Sequence, residues 1–114
     1  MEPYAPKAGD RHWVKPRLQE LVEFIRAAFA EEDEQGWYVG GRGLANLLFQ
    51  RLREDGYPSP STFIVPLRLL VVLNVLEASP RGTKPPGYKR RFYPERMAEV
   101  TDEQVAAAYT VVVT

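Results

Sequence analysis

Apolar residues in the first third of the chain recur at helical spacing. Leu18, Leu21, Val22, Ile25, Ala28 and Phe29 fall at i, i+3, i+4 and i+7, which is one face of a helix. The spacing predicts a first helix from about Pro16 to Asp33, with Pro16 in the first turn, where its missing N–H is no loss. Phe24 falls off that stripe, a position suited to covering a neighbouring element or a dimer contact. Gly36-Trp37-Tyr38-Val39 is too short for a helix and rich in strand-forming aromatics, so it reads as a brief edge strand. Gly40, Gly41 and Gly43 then break the chain. A second helix is expected from about Leu44 to Glu54, with Leu44, Leu47, Leu48 and Leu52 turned inward and Asp55-Gly56 ending it.

Tyr57 to Thr62 reads as a turn, with Ser59 or Ser61 placed to cap a third helix and Pro60 suited to its first position. Pro66 is comfortable only in a first turn or at a kink. The regular helix therefore either starts near Phe63 or begins at Pro60 and bends. It carries Leu67, Leu69, Leu70, Val71, Val72 and Leu73, with Arg68 as its only charge. Asn74 is a stop signal, because Asn tolerates the left-handed backbone that ends helices. A short strand, Val75-Leu76-Glu77, a basic Pro/Gly-rich tip and a returning strand from Tyr88 to Tyr93 follow. Alternation sends Lys89 and Arg91 to one face and Arg90 and Phe92 to the other, with Phe92 in the core and Tyr88 toward solvent. Thr101-Asp102-Glu103-Gln104 has the form of a capping box, so a fourth helix of about nine residues is expected after it. Val111-Val112-Val113 favours a strand that pairs with an edge or another chain.

Composition bounds this picture. A chain of 114 residues is one domain by length, and 45 % apolar residues suffice for a core. The expected organisation is a flexible arm over residues 1–15, a main domain over 16–94, and a C-terminal helix and tail over 95–114. The arm is mildly basic through Lys7, Arg11, His12 and Lys15, with Tyr4 and Trp13 as anchors to the body or to a partner. No apolar run predicts a membrane span, and the polar N-terminus lacks the apolar region of a secretory signal. With no Cys, this points to a cytoplasmic protein. Two Asn, four Gln and many Arg, Glu and Pro lean toward a thermophile source.

Net charge is zero, which argues against indiscriminate nucleic-acid binding, but the charge is segregated. Arg81, Lys84, Lys89, Arg90, Arg91 and Arg96 stand against Glu95 alone, a net of +5. Glu31-Glu32-Asp33-Glu34 supplies most of the compensating charge and reads as a solvated helix end.

The order helix, short strand, helix, turn, helix, strand, basic loop, strand resembles the winged helix-turn-helix superfamily. The resemblance rests on Leu67, Leu70, Leu73-Asn74-Val75-Leu76-Glu77, Pro80-Arg81-Gly82 and the return from Tyr88 to Tyr93. Asn74 stands where that superfamily commonly has Gly. The implied fold is α+β, mainly α: a three-helix core, a small antiparallel β-wing and an extra C-terminal helix. The implied function is duplex-DNA binding by a transcriptional regulator, acting as a homodimer, through Ser61, Thr62 and Arg68 on helix three and Arg81, Lys84, Tyr88, Lys89, Arg90 and Arg91 on the wing. Wings commonly lie along the phosphate backbone.

The expected outer face of helix three, Ser61, Thr62, Val65, Arg68 and Val72, is a poor set of base-edge readers. Winged helices also dock proteins, so an accessory subunit that binds a partner through helix three is the alternative. An RNA-binding KH domain is more remote: Gly40-Gly41-Arg42-Gly43 resembles its glycine loop, but Asn46 occupies an expected apolar position. Enzymatic chemistry has little to build on. His12 is the only histidine and lies in the arm, and the absence of Cys removes thiolate catalysis and Cys-based zinc sites. The glycines lack the Lys-Ser/Thr of a phosphate-binding P-loop. No cofactor and no metal is expected.

Overall fold

The computed structural model describes residues 13–34, 36–40, 43–55, 57, 59–77 and 89–113. Helix α1 spans Lys15–Phe29, with Pro16 in its first turn and Leu18, Leu21, Val22 and Ile25 buried along one face. It ends four residues earlier than its periodicity suggests. The acidic run expected at its end forms strand β1, Ala30–Asp33, instead. Carboxylates in the last turn would oppose the negative end of the helix dipole, and in an edge strand they remain solvated.

Strand β1 pairs antiparallel with β2, Gly36–Gly40, in the register Ala30↔Val39 to Asp33↔Gly36. Gly36 opens β2 at φ 121°, a conformation L side chains rarely adopt. The expected edge strand is therefore the middle of a three-stranded sheet, because β2 also pairs antiparallel with β3, Lys89–Phe92. That register places Trp37 opposite Phe92, Tyr38 opposite Arg91, Val39 opposite Arg90 and Gly40 opposite Lys89. Val39 and Phe92 are buried on the inner face, as alternation predicts for Phe92.

Helix α2, Leu44–Leu52, follows Gly43, whose φ of 68° is again glycine's own region. Leu44 and Leu48 are buried, whereas Leu47, expected inside, is 39 % exposed. A 3-10 turn at Pro60–Phe63 leads directly into α3, Ile64–Val72. Pro66 is thus the third residue of the regular helix, in the first turn, and no kink is needed. Neither Ser59 nor Ser61 caps this helix; their hydroxyls bond each other at 2.7 Å.

The end of α3 matches its sequence signal. Asn74 is left-handed at φ 66°. Val75 N–H donates to the Leu70 carbonyl (2.9 Å) and Asn74 N–H to the Val71 carbonyl (3.0 Å), a Schellman closure. The expected strand at Val75 to Glu77 is reduced to one bridge, Leu76 to Phe92. Bonds from Glu77 N–H to the Arg91 carbonyl (2.9 Å) and from Tyr93 N–H to the Val75 carbonyl (2.7 Å) flank it.

A 3-10 segment at Pro94–Glu99 was not anticipated. The capping box then forms as its sequence indicates. Gln104 N–H donates to Thr101 Oγ1 (3.1 Å), and Thr101 N–H donates to Gln104 Oε1 (2.9 Å). Helix α4 runs Asp102–Val113, so the valines expected as a strand are its last turn. Val105 and Ala108 are buried and Val112 half-buried, a helical stripe that overrides the β-preference of valine.

The main core joins α1, α2, α3 and the inner sheet face through side chains such as Leu18, Ile25, Leu48, Phe63, Leu69 and Phe92. Trp13, expected in the arm, is 2 % exposed and belongs to this core. It stacks with Tyr57, lies under the Arg17 guanidinium at 4.2 Å, and donates its main-chain N–H to Tyr109 Oη at 3.1 Å. The molecule is mainly helical with one small antiparallel sheet. Expectations on residues 1–12 fall outside the described residues.

Candidate functional site

Leucines crowd the inner side of α3, and its outer side is nearly apolar too. Leu69, Leu70 and Pro66 are buried, while Ile64, Arg68 and Val72 are exposed one turn apart on the opposite face. Ser61 is exposed just before them. Thr62, expected on this face, is instead 1 % exposed. The reason lies in the helix start: the 3-10 turn rotates Thr62 inward beside buried Phe63. Its hydroxyl finds no hydrogen-bond partner among the described residues. Of the three expected helix-three contacts, Ser61 and Arg68 are accessible and Thr62 is withdrawn.

The wing residues divide in the same way. Arg81, Lys84 and Tyr88 lie outside the described residues. The two main-chain feet of their segment are fixed, since Glu77 and Arg91 are bonded to each other. Besides the main-chain bond above, Arg91 N–H donates to Glu77 Oε1 at 3.3 Å. Lys89 opens β3 opposite Gly40. Arg90 is half-buried on the same strand face as Phe92, so it is not a fully solvated wing cation.

Arg91 is engaged by its neighbours on the sheet. It projects from the outer sheet face between two tyrosines. Its Nε donates to Tyr93 Oη at 3.0 Å and one terminal nitrogen donates to Tyr38 Oη at 3.1 Å. The guanidinium carbon also lies 5.5 Å from the Tyr38 ring centroid and 5.7 Å from that of Tyr93. The hydrogen bond to Tyr93 raises the Arg91 pKa still further, so the cation persists at every accessible pH. Arg96 covers Tyr93 at 3.8 Å and donates to the Asn74 carbonyl at 3.0 Å. This joins the outer sheet face to the end of α3.

Tyr38, Tyr93, Arg96 and Glu77 were not among the site residues expected from the sequence. Tyr93 is two positions from Arg91 and shares its face by alternation, a signal that was available. Tyr38 meets Arg91 only through the β2–β3 register, a pairing across 53 residues that no local pattern encodes.

A second surface flanks α4. Val72, Leu73, Asn74, Gln104, Ala107, Ala108 and Val111 enclose a groove of about 290 Å³ where α4 crosses the end of α3. Among the described residues, no helix is long and apolar enough to cross a membrane. Comparison with known protein families, with curated proteins and with solved structures finds no match to this chain.

Proposed function

We propose that this chain is a winged-helix domain that binds duplex DNA and serves as a transcriptional regulator. The observation that carries the reading is the pairing of Glu77 with Arg91 at the end of α3. The stretch of sequence between these two residues carries Arg81, Lys84 and Lys89. Cations gathered on one segment attract the phosphate backbone, while exposed Ser61, in the turn before α3, and Arg68 on α3 are the side chains offered to base edges. Such a protein derives its affinity mainly from phosphates and has modest sequence preference. Fluorescence anisotropy with a random-sequence duplex tests this. Binding should be clear at about 50 mM salt and fall steeply by about 200 mM. Absence of binding at the lower salt would overturn the reading.

Protein docking through α3 is the second reading. It is favoured by Ile64 at 43 % and Val72 at 39 % exposure on either side of Arg68. Isolated exposed apolar residues are ordinary, but two on one face with a single charge between them form a docking stripe. Ile64→Ser with Val72→Ser distinguishes the two. The pair of changes should leave duplex affinity almost intact if DNA is the ligand, and should abolish association with a partner protein if docking is the function.

A further inference from the structure

We propose that Arg91 is a positioning residue: a clamp that holds the base of the basic segment rather than one of its phosphate contacts. The inference rests on the DNA-binding reading above. Cations exposed on a wing neutralise phosphate because their donors face outward. Two nitrogens of the Arg91 guanidinium instead donate along the sheet. Nε is held by Tyr93 and one terminal nitrogen by Tyr38. A planar guanidinium can satisfy this fork, and an ammonium cannot.

The clamp links three parts of the chain. Tyr38 brings the central strand, Tyr93 the exit from β3, and the Arg91 main chain both bonds to Glu77. Arg96, stacked on Tyr93 and bonded to the Asn74 carbonyl, extends the same unit to the end of α3. The feet of the segment bearing Arg81 and Lys84 are thereby set in one orientation relative to α3. Fixing them before association reduces the ordering that binding must otherwise supply.

Arg91→Lys, Arg91→Ala and the double change Tyr38→Phe with Tyr93→Phe test the clamp. The tyrosine pair alters no charge and keeps both rings, so it removes only the fork. Hydrogen exchange should show faster exchange of the Glu77 and Tyr93 amides in all variants, with α1 and α3 still protected. Duplex binding should weaken roughly tenfold in each, while the slope of log affinity against log salt stays as in wild type. If Arg91→Ala flattens that slope by about 0.9 and Arg91→Lys binds as wild type does, Arg91 is a phosphate contact and the clamp is overturned. Unchanged exchange at Glu77 and Tyr93 overturns it as well. If wild type binds no duplex, the DNA-binding reading fails and the clamp's role in binding fails with it; the exchange data still decide whether the clamp holds the segment.

Discussion

Val75 donates its amide to the carbonyl of Leu70 at 2.9 Å, closing the end of α3 over left-handed Asn74. The closure turns the chain sharply enough for Leu76 to bridge Phe92. Asn74→Gly should be tolerated, since glycine takes positive φ freely. Asn74→Val should lower stability by roughly 1 kcal/mol or more, because a β-branched side chain is strained there. Arg96 binds the main-chain carbonyl of residue 74, so both variants keep that bond and the difference isolates backbone strain. Thermal melts of the two variants compare them directly; equal midpoints would rule this account out.

Thr62 offers the opposite test. Its methyl is packed and its hydroxyl is buried without a partner among the described residues. Thr62→Val replaces that hydroxyl with a methyl of similar size and should raise stability by about 1 kcal/mol, the scale of an unsatisfied buried polar group. Urea unfolding gives the sign. A loss of stability would mean that the hydroxyl has a partner within the folded chain.

These two residues show how far the sequence could be read. The stop at Asn74 and the capping box at Thr101 are local, set by residues within one turn, and both stand in the structure as expected. The burial of Thr62 depends on the tighter winding of a 3-10 turn that begins two residues earlier, which the helical wheel of a regular α3 misplaces. The acids after Ala30 continue the helical pattern in composition, but pairing of Glu31, Glu32 and Asp33 with Tyr38, Trp37 and Gly36 decides their conformation. The charge at Arg91 was legible and Tyr93 shares its face by alternation, but the contact with Tyr38 was not legible, because that pair meets only through the β2–β3 register. For the same reason the terminal valines read as a strand until the stripe of Val105, Ala108 and Val112 is set against α3.

The capping box predicts a coupled effect. Thr101→Ala should destabilise the protein by about 1 kcal/mol by leaving the Gln104 amide without its side-chain acceptor. Gln104→Ala removes the reciprocal bond to Thr101 N–H. Since each residue depends on the other, the double variant should lose less than the sum of the single ones. A double-mutant cycle by chemical denaturation measures this. Strict additivity would show that the two bonds act independently.

The last prediction separates the roles of the cations. Under the DNA-binding reading, Arg81, Lys84 and Lys89 each neutralise a phosphate and release a counterion. Replacing all three with Ala should therefore lessen the salt slope by about 2.7, at about 0.9 per contact. Affinity should fall on every duplex alike, since phosphate contacts carry no sequence information. Arg68→Ala should leave most of the slope and instead narrow the difference between preferred and random duplexes, because Arg68 is exposed in mid-α3 rather than on the wing. Neither change should unfold the protein: Arg68 is exposed, and solvated charges contribute little to stability. Anisotropy titrations at several salt concentrations, with circular dichroism as a check on folding, separate the two effects. A folded triple variant whose slope equals that of wild type would remove the wing from the interface and leave the apolar stripe of Ile64 and Val72 as the working surface.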